Sequence, residues 1–142
     1  MSTNARRAIA TLAAVPLAAL LAGCSLNTVV WGPEGARVIE TSERFIRAAA
    51  AGDADSFVCA GQHPDLREPG DWVGVDAEEP EKFDADRWPA LAALGPAWTI
   101  NLSAGGRASS PGDQQPGDLV FGRTADGLCV LAVAWMTVGS VS

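Results

Sequence analysis

A chain of 142 residues carries 10 lysines and arginines against 17 aspartates and glutamates, a net charge of −7 with a single histidine. A balance this acidic offers no positive patch on which phosphates could be neutralised, so nucleic acid is excluded as a partner. The length suffices for one domain with one core and not for two.

Arg6 and Arg7 precede an uncharged run over residues 8–22, which leads into a cysteine at Leu21-Ala22-Gly23-Cys24. Two cations, an apolar run and small residues before a cleavage point are the layout of a secretory signal, not of a folded element. At 15 residues the run falls short of the roughly 20 that span a bilayer core, and Pro16 interrupts it. The arginines stand among small residues, in Asn4-Ala5-Arg6-Arg7-Ala8-Ile9, which points to the general secretory route rather than twin-arginine export.

Leu21-Ala22-Gly23-Cys24 resembles the lipobox of bacterial lipoproteins. The resemblance implies that the Cys24 thiol takes a diacylglyceryl group, with fatty chains such as palmitate, and that residues 1–23 are removed. Cys24 then becomes the acylated first residue, holding the protein on the extracytoplasmic side of the cell membrane. Two other readings stay open, an uncut transmembrane helix and an ordinary signal peptide whose cysteine is incidental. Without residues 1–23 the chain has 119 residues, with 8 basic side chains against 17 acidic ones. An anionic membrane surface repels such a chain, so membrane association is expected to rest on acyl chains, of which two anchor stably.

With Cys24 assigned to lipid, Cys59 and Cys129 remain. An even remainder in an exported chain favours a disulfide, because the compartment is oxidising. Two buried free cysteines, acting as small apolar residues, are the alternative. Zinc wants four ligands at short spacings, which two distant cysteines and one histidine do not supply.

Residues 24–35 read as a short connector that keeps the domain within about 35 Å of the lipid. Trp31 either lies at the membrane interface or packs on the domain. Over residues 37–51, Val38, Ile39, Ser42, Phe45, Ile46 and Ala49 line one face of an amphipathic helix. Gly52 supplies its left-handed cap, and Asp53 or Asp55 caps a second short helix through Phe57, Val58 and Cys59. The stretch Phe45-Ile46-Arg47-Ala48-Ala49-Ala50-Ala51-Gly52-Asp53-Ala54-Asp55 resembles the opening of NTF2-like proteins, a likeness extending over residues 37–60. It implies a cone-shaped α+β fold whose curved sheet encloses a pocket, often serving as a binding scaffold; it assigns no functional residue.

Between Asp65 and Asp86 lie nine carboxylates against Arg67 and Lys82 alone. Pro64, Pro69 and Pro80, with Gly61, Gly70 and Gly74, argue for irregular loop. Short helices are expected from about residue 81 through 88 and from Pro89 through 94. Trp72 and Trp88 flank the acids, and aromatic faces beside carboxylates attract cations. Trp72, Trp88, Asp76, Glu78, Glu79 and Glu81 are therefore the candidate surface for a cationic ligand or a basic patch on an envelope protein. The competing reading is a solvated acidic face with both tryptophans in the core.

Trp98, Ile100 and Leu102 alternate with Thr99, Asn101 and Ser103, the period of a strand with one wet face. Residues 104–117 read as a loop, 119–124 as a second strand, Ala125-Asp126-Gly127 as a hairpin turn and 128–138 as a third strand. The last is apolar on both parities and is expected to be central, with Cys129, Leu131, Val133 and Trp135 on one face turned to the helix bearing Cys59. The fold class is α+β: an N-terminal helix pair on an antiparallel sheet of three or four strands with one disulfide, in a single domain over 36–142.

His63 is the only histidine and sits outside any nucleophile-elbow pattern. Neither Asp53-Ala54-Asp55 nor Asp84-Ala85-Asp86 continues into a calcium loop. No cofactor and no metal are expected. A non-enzymatic binding or interaction domain is the favoured reading; the alternative is a membrane-tethered hydrolase using two carboxylates of the acidic loop.

Overall fold

In the computed structural model, residues 25–105 and 109–139 are described. Cys24 and the apolar run before it, and hence the signal-peptide and lipidation expectations, lie outside them. Helix α1 spans Leu26–Ala50 and begins with Ser25, whose hydroxyl accepts a hydrogen bond from the Thr28 N–H at 3.3 Å. It is broken at Gly32, whose φ of 71° and ψ of 175° are not helical. Pro33 then restarts the helix, its fixed φ and missing N–H being suited to a first helical position. The expected connector over 24–35 is therefore largely helical from Leu26 onward.

Val38, Ile39, Ser42, Phe45, Ile46 and Ala49 are all buried on α1, as their spacing requires. Ser42 is tolerated there because its hydroxyl donates to the Val38 carbonyl at 2.8 Å. Gly52, at φ 76°, closes the helix, with the Asp53 N–H donating to Ala48 at 2.8 Å and the Gly52 N–H to Ala49 at 3.0 Å. This is the two-bond cap that a left-handed residue permits. Among the described residues no second α-helix comes after it: Asp55–Phe57 form one 3-10 turn with no side-chain cap, and Val58 runs extended beyond it. The expected helix pair is thus a single long helix.

Four strands form an antiparallel meander in the order β1-β2-β3-β4: β1 Asp76–Lys82, β2 Trp98–Ser103, β3 Gln114–Thr124 and β4 Gly127–Thr137. Part of the expected acidic loop is thus the strand β1. It is an edge strand, with Pro80 turned inward and buried while Asp76, Glu78, Glu79 and Glu81 stand exposed. Charge and proline are what an edge tolerates and what keeps other strands from adding to it. The strand also overruns the helix expected from 81, and the chain leaves it through a turn and a 3-10 segment, Pro89–Leu94.

Strand β4 is the opposite edge, not the centre. It is apolar on both parities because both of its faces are covered. A register shift opposite Val120 and Phe121 exchanges the faces midway: Leu128, Val130, Val133 and Trp135 join the core beneath α1, while Cys129, Leu131 and Ala132 pack with Cys59, Val120, Phe83 and Leu91 on the other side. The expected common face of Cys129, Leu131, Val133 and Trp135 does not form. The disulfide between Cys59 and Cys129 is present, with Cα atoms 4.8 Å apart, but on the sheet face away from α1. It ties Val58 and Cys59 to β4, where the Cys59 N–H donates to the Val130 carbonyl at 2.9 Å and covers part of the edge.

The space between α1 and the sheet is filled by Val38, Phe45, Trp72, Ile100, Leu119, Phe121 and Val130. Among the described residues no helix is long and apolar enough to cross a membrane.

Candidate functional site

The six residues singled out as a binding surface do not converge. Trp72 is 1% exposed. Its ring meets Phe45 edge-on at 5.1 Å and Trp135 at 5.8 Å, and its indole N–H donates to the Leu66 carbonyl at 2.8 Å. The ring is engaged inside the core, so Trp72 offers nothing to a ligand. Asp76, Glu78, Glu79 and Glu81 are strung along β1 in water.

Trp88 and Glu81 do meet, through Arg87. The segment between β1 and β2 folds back over the face of the sheet opposite α1, where Thr99 is buried instead of wet. There Arg87 reaches Glu81 at 3.3 Å with one nitrogen and Asp118 of β3 at 3.7 Å with the other. Its guanidinium carbon lies 5.4 Å from the centre of the Trp88 ring. Two polar atoms at this locus are buried without a hydrogen-bond partner among the described residues, the Trp88 indole nitrogen and the Asp118 Oδ1. The locus thus holds a donor and an acceptor with no hydrogen bond, a fixed cation and a half-buried aromatic ring.

Burial raises the Asp118 carboxyl above its ordinary value of 3.8; Arg87 opposes that rise and Glu81 adds to it. The folded protein therefore holds this proton more tightly than the unfolded chain does. Its contribution to stability is complete below the ordinary value and is lost as pH rises through the folded-state value, so the ionised group weakens the fold at neutral pH. Asp118→Asn is expected to raise the urea midpoint at pH 7, with the advantage vanishing near pH 3. A lower midpoint at pH 7 would mean that the Arg87 pairing outweighs burial.

A second charge cluster lies where α1 restarts. Glu34 accepts from Lys82 at 2.8 Å and from Arg123 at 3.1 Å. The hydrogen bond from Lys82, then that from Arg123, holds its carboxyl below the ordinary 4.5. Lys82 also sits 3.8 Å over the Trp98 ring.

Asp118 escapes a reading of the sequence because it falls between the loop expected over 104–117 and the strand expected from 119, whereas β3 already begins at Gln114. Only the folding back of the segment carrying Arg87 and Trp88 makes it half-buried. His63 is exposed, and among the described residues no group of three or more histidines, cysteines and carboxylates is placed to hold a metal. Comparison of the chain with known protein families, with curated proteins and with solved structures finds no match.

Proposed function

We propose that the chain is an exported lipoprotein, held on the extracytoplasmic side of the cell membrane by acyl chains on Cys24, whose folded domain binds a ligand or an envelope partner and catalyses nothing. The observation that carries the anchoring is Leu21-Ala22-Gly23-Cys24 at the end of an uncharged run too short to span a bilayer. Helix α1 starts two residues past that cysteine, which supports a domain seated close to the lipid.

Binding is favoured over hydrolysis because Asp76, Glu78 and Glu79 of the acidic stretch stand exposed along one edge strand, and Glu81 meets a second carboxylate, Asp118 of β3, through the guanidinium of Arg87. Hydrolysis by two acids needs substrate between them; here a fixed cation joins the pair. The likeness of residues 37–60 to NTF2-like proteins belongs to the same reading, as a scaffold and not as a source of catalytic residues.

The anchoring is tested by Cys24→Ala in a bacterial host fed labelled palmitate. Complete loss of label is expected, with the protein leaving the membrane fraction or accumulating uncleaved. Unchanged labelling and processing would overturn the assignment.

A further inference from the structure

Exposed apolar side chains are concentrated at one place on this domain. Leu26, Val29, Val30 and Trp31 are 77, 72, 60 and 37% exposed within six consecutive residues, whereas Val73, Leu94 and Met136 stand singly elsewhere. Single exposed apolar residues are ordinary; a contiguous set marks a contact surface. The polarity of this turn is also inverted. Leu26, Val29 and Val30, at helical spacings of three and four, form a stripe facing outward, while Asn27 and Thr28 are partly covered. The sequence has no charged residue between Arg7 and Glu34 to break the stripe.

The turn packs back on the chain that follows it. A β-carbon at residue 35 would lie 2.7 Å from the Trp31 Cβ and 3.5 Å from Pro80, so Gly35 lets Trp31 pack closely across the break at Gly32. Next to this joint the acidic domain turns basic: Lys82 and Arg123 converge on Glu34, and Arg37 shares a small hollow with Glu34 and Arg123.

We propose that residues 26–31 are an interfacial foot: Leu26, Val29, Val30 and Trp31 lie in the boundary between phospholipid headgroups and acyl chains, with Arg37, Lys82 and Arg123 towards the phosphates. This rests on the reading that Cys24 is acylated, which brings Leu26 within two residues of the bilayer. Apolar stripes and tryptophan are favoured at that depth, and cations near it are drawn to phosphate. The foot adds orientation to the anchor, because apolar side chains seated in the interface beside the acylated Cys24 give the domain a second point of attachment.

The test separates the foot from the native lipid. Residues 24–142 contain α1, the sheet and the disulfide, and with Cys59 bonded to Cys129 the only free thiol is Cys24. That thiol is coupled to a maleimide phospholipid in phosphatidylcholine vesicles whose acyl chains are brominated near the headgroup. Tryptophan quenching by the bromines is expected in the unaltered chain. It should fall at least about threefold in Trp31→Phe and in Val29→Asp with Val30→Asp, the latter because a charge at each position resists burial in lipid. Equal quenching in all three chains, or none in the unaltered chain, overturns the foot. So does a tethered pair of chains that is unquenched because the stripe covers a second copy, read by cross-linking. The mass of Cys24 in protein extracted from native membranes reports on the lipoprotein reading independently, so either idea fails without the other.

Discussion

Removing the Cys59 to Cys129 bridge is expected to lower the free energy of unfolding by roughly 4 kcal/mol, the chain-entropy figure for a loop with its ends 70 residues apart. Small domains have only about 5–15 kcal/mol in all, so the loss is a large share of the total. It should appear as a fall of about 2 M in the urea midpoint on reduction, and equally in Cys59→Ala with Cys129→Ala. The position of the bridge has a second consequence. It fastens Val58 and Cys59 along β4, so the reduced protein should expose that edge and aggregate. A midpoint that moves by less than about 0.5 M would show that the packing around Val120 and Leu131 holds this segment unaided.

Trp72→Ala is expected to be comparably severe, at about 3–5 kcal/mol, because a large buried side chain is deleted where neighbours cannot close the space. Its ring is wedged between Phe45 of α1 and Trp135 of β4, so the substitution uncouples helix from sheet. Trp135 is itself pinned on its far side, by a hydrogen bond from its indole to the Asp65 carbonyl at 2.9 Å and by Arg67 stacked 4.1 Å above it. Trp72→Phe separates packing from hydrogen bonding. It keeps an aromatic ring but leaves the Leu66 carbonyl without its donor, a loss of about 1–3 kcal/mol if water cannot replace it. Urea titration of the three proteins checks the ranking, and a Trp72→Ala protein as stable as the unaltered chain would contradict the burial of this ring.

The two tryptophans beside the acids show where reading a sequence stops. Both are candidates for one surface because both flank carboxylates along the chain. Folding sends Trp72 into the core and leaves Trp88 half-buried over the opposite face of the sheet, joined to Glu81 only through Arg87. Adjacency in sequence measures adjacency in space for Arg87 and Trp88 and not for Trp72.

Local periodicity and the pairing of cysteines carry their information in the order of residues alone. The buried face of α1 from Val38 to Ala49, its Gly52 cap, the strand through Trp98, Ile100 and Leu102, the hairpin at Asp126 and the Cys59 to Cys129 bridge are all legible there, because each depends on residues within one turn, one strand or one redox inference. Which strands are edges and which faces are covered emerges only from packing in three dimensions. Acidic residues with Pro80 read as loop but form an edge strand, since an edge needs pairing on one side only. Apolar residues on both parities read as a central strand but form the other edge, since burial of both faces comes from α1 and the folded-back segment and not from neighbours in the sheet. The same covering makes Asp118 a half-buried acid, a property that no window of its own strand contains.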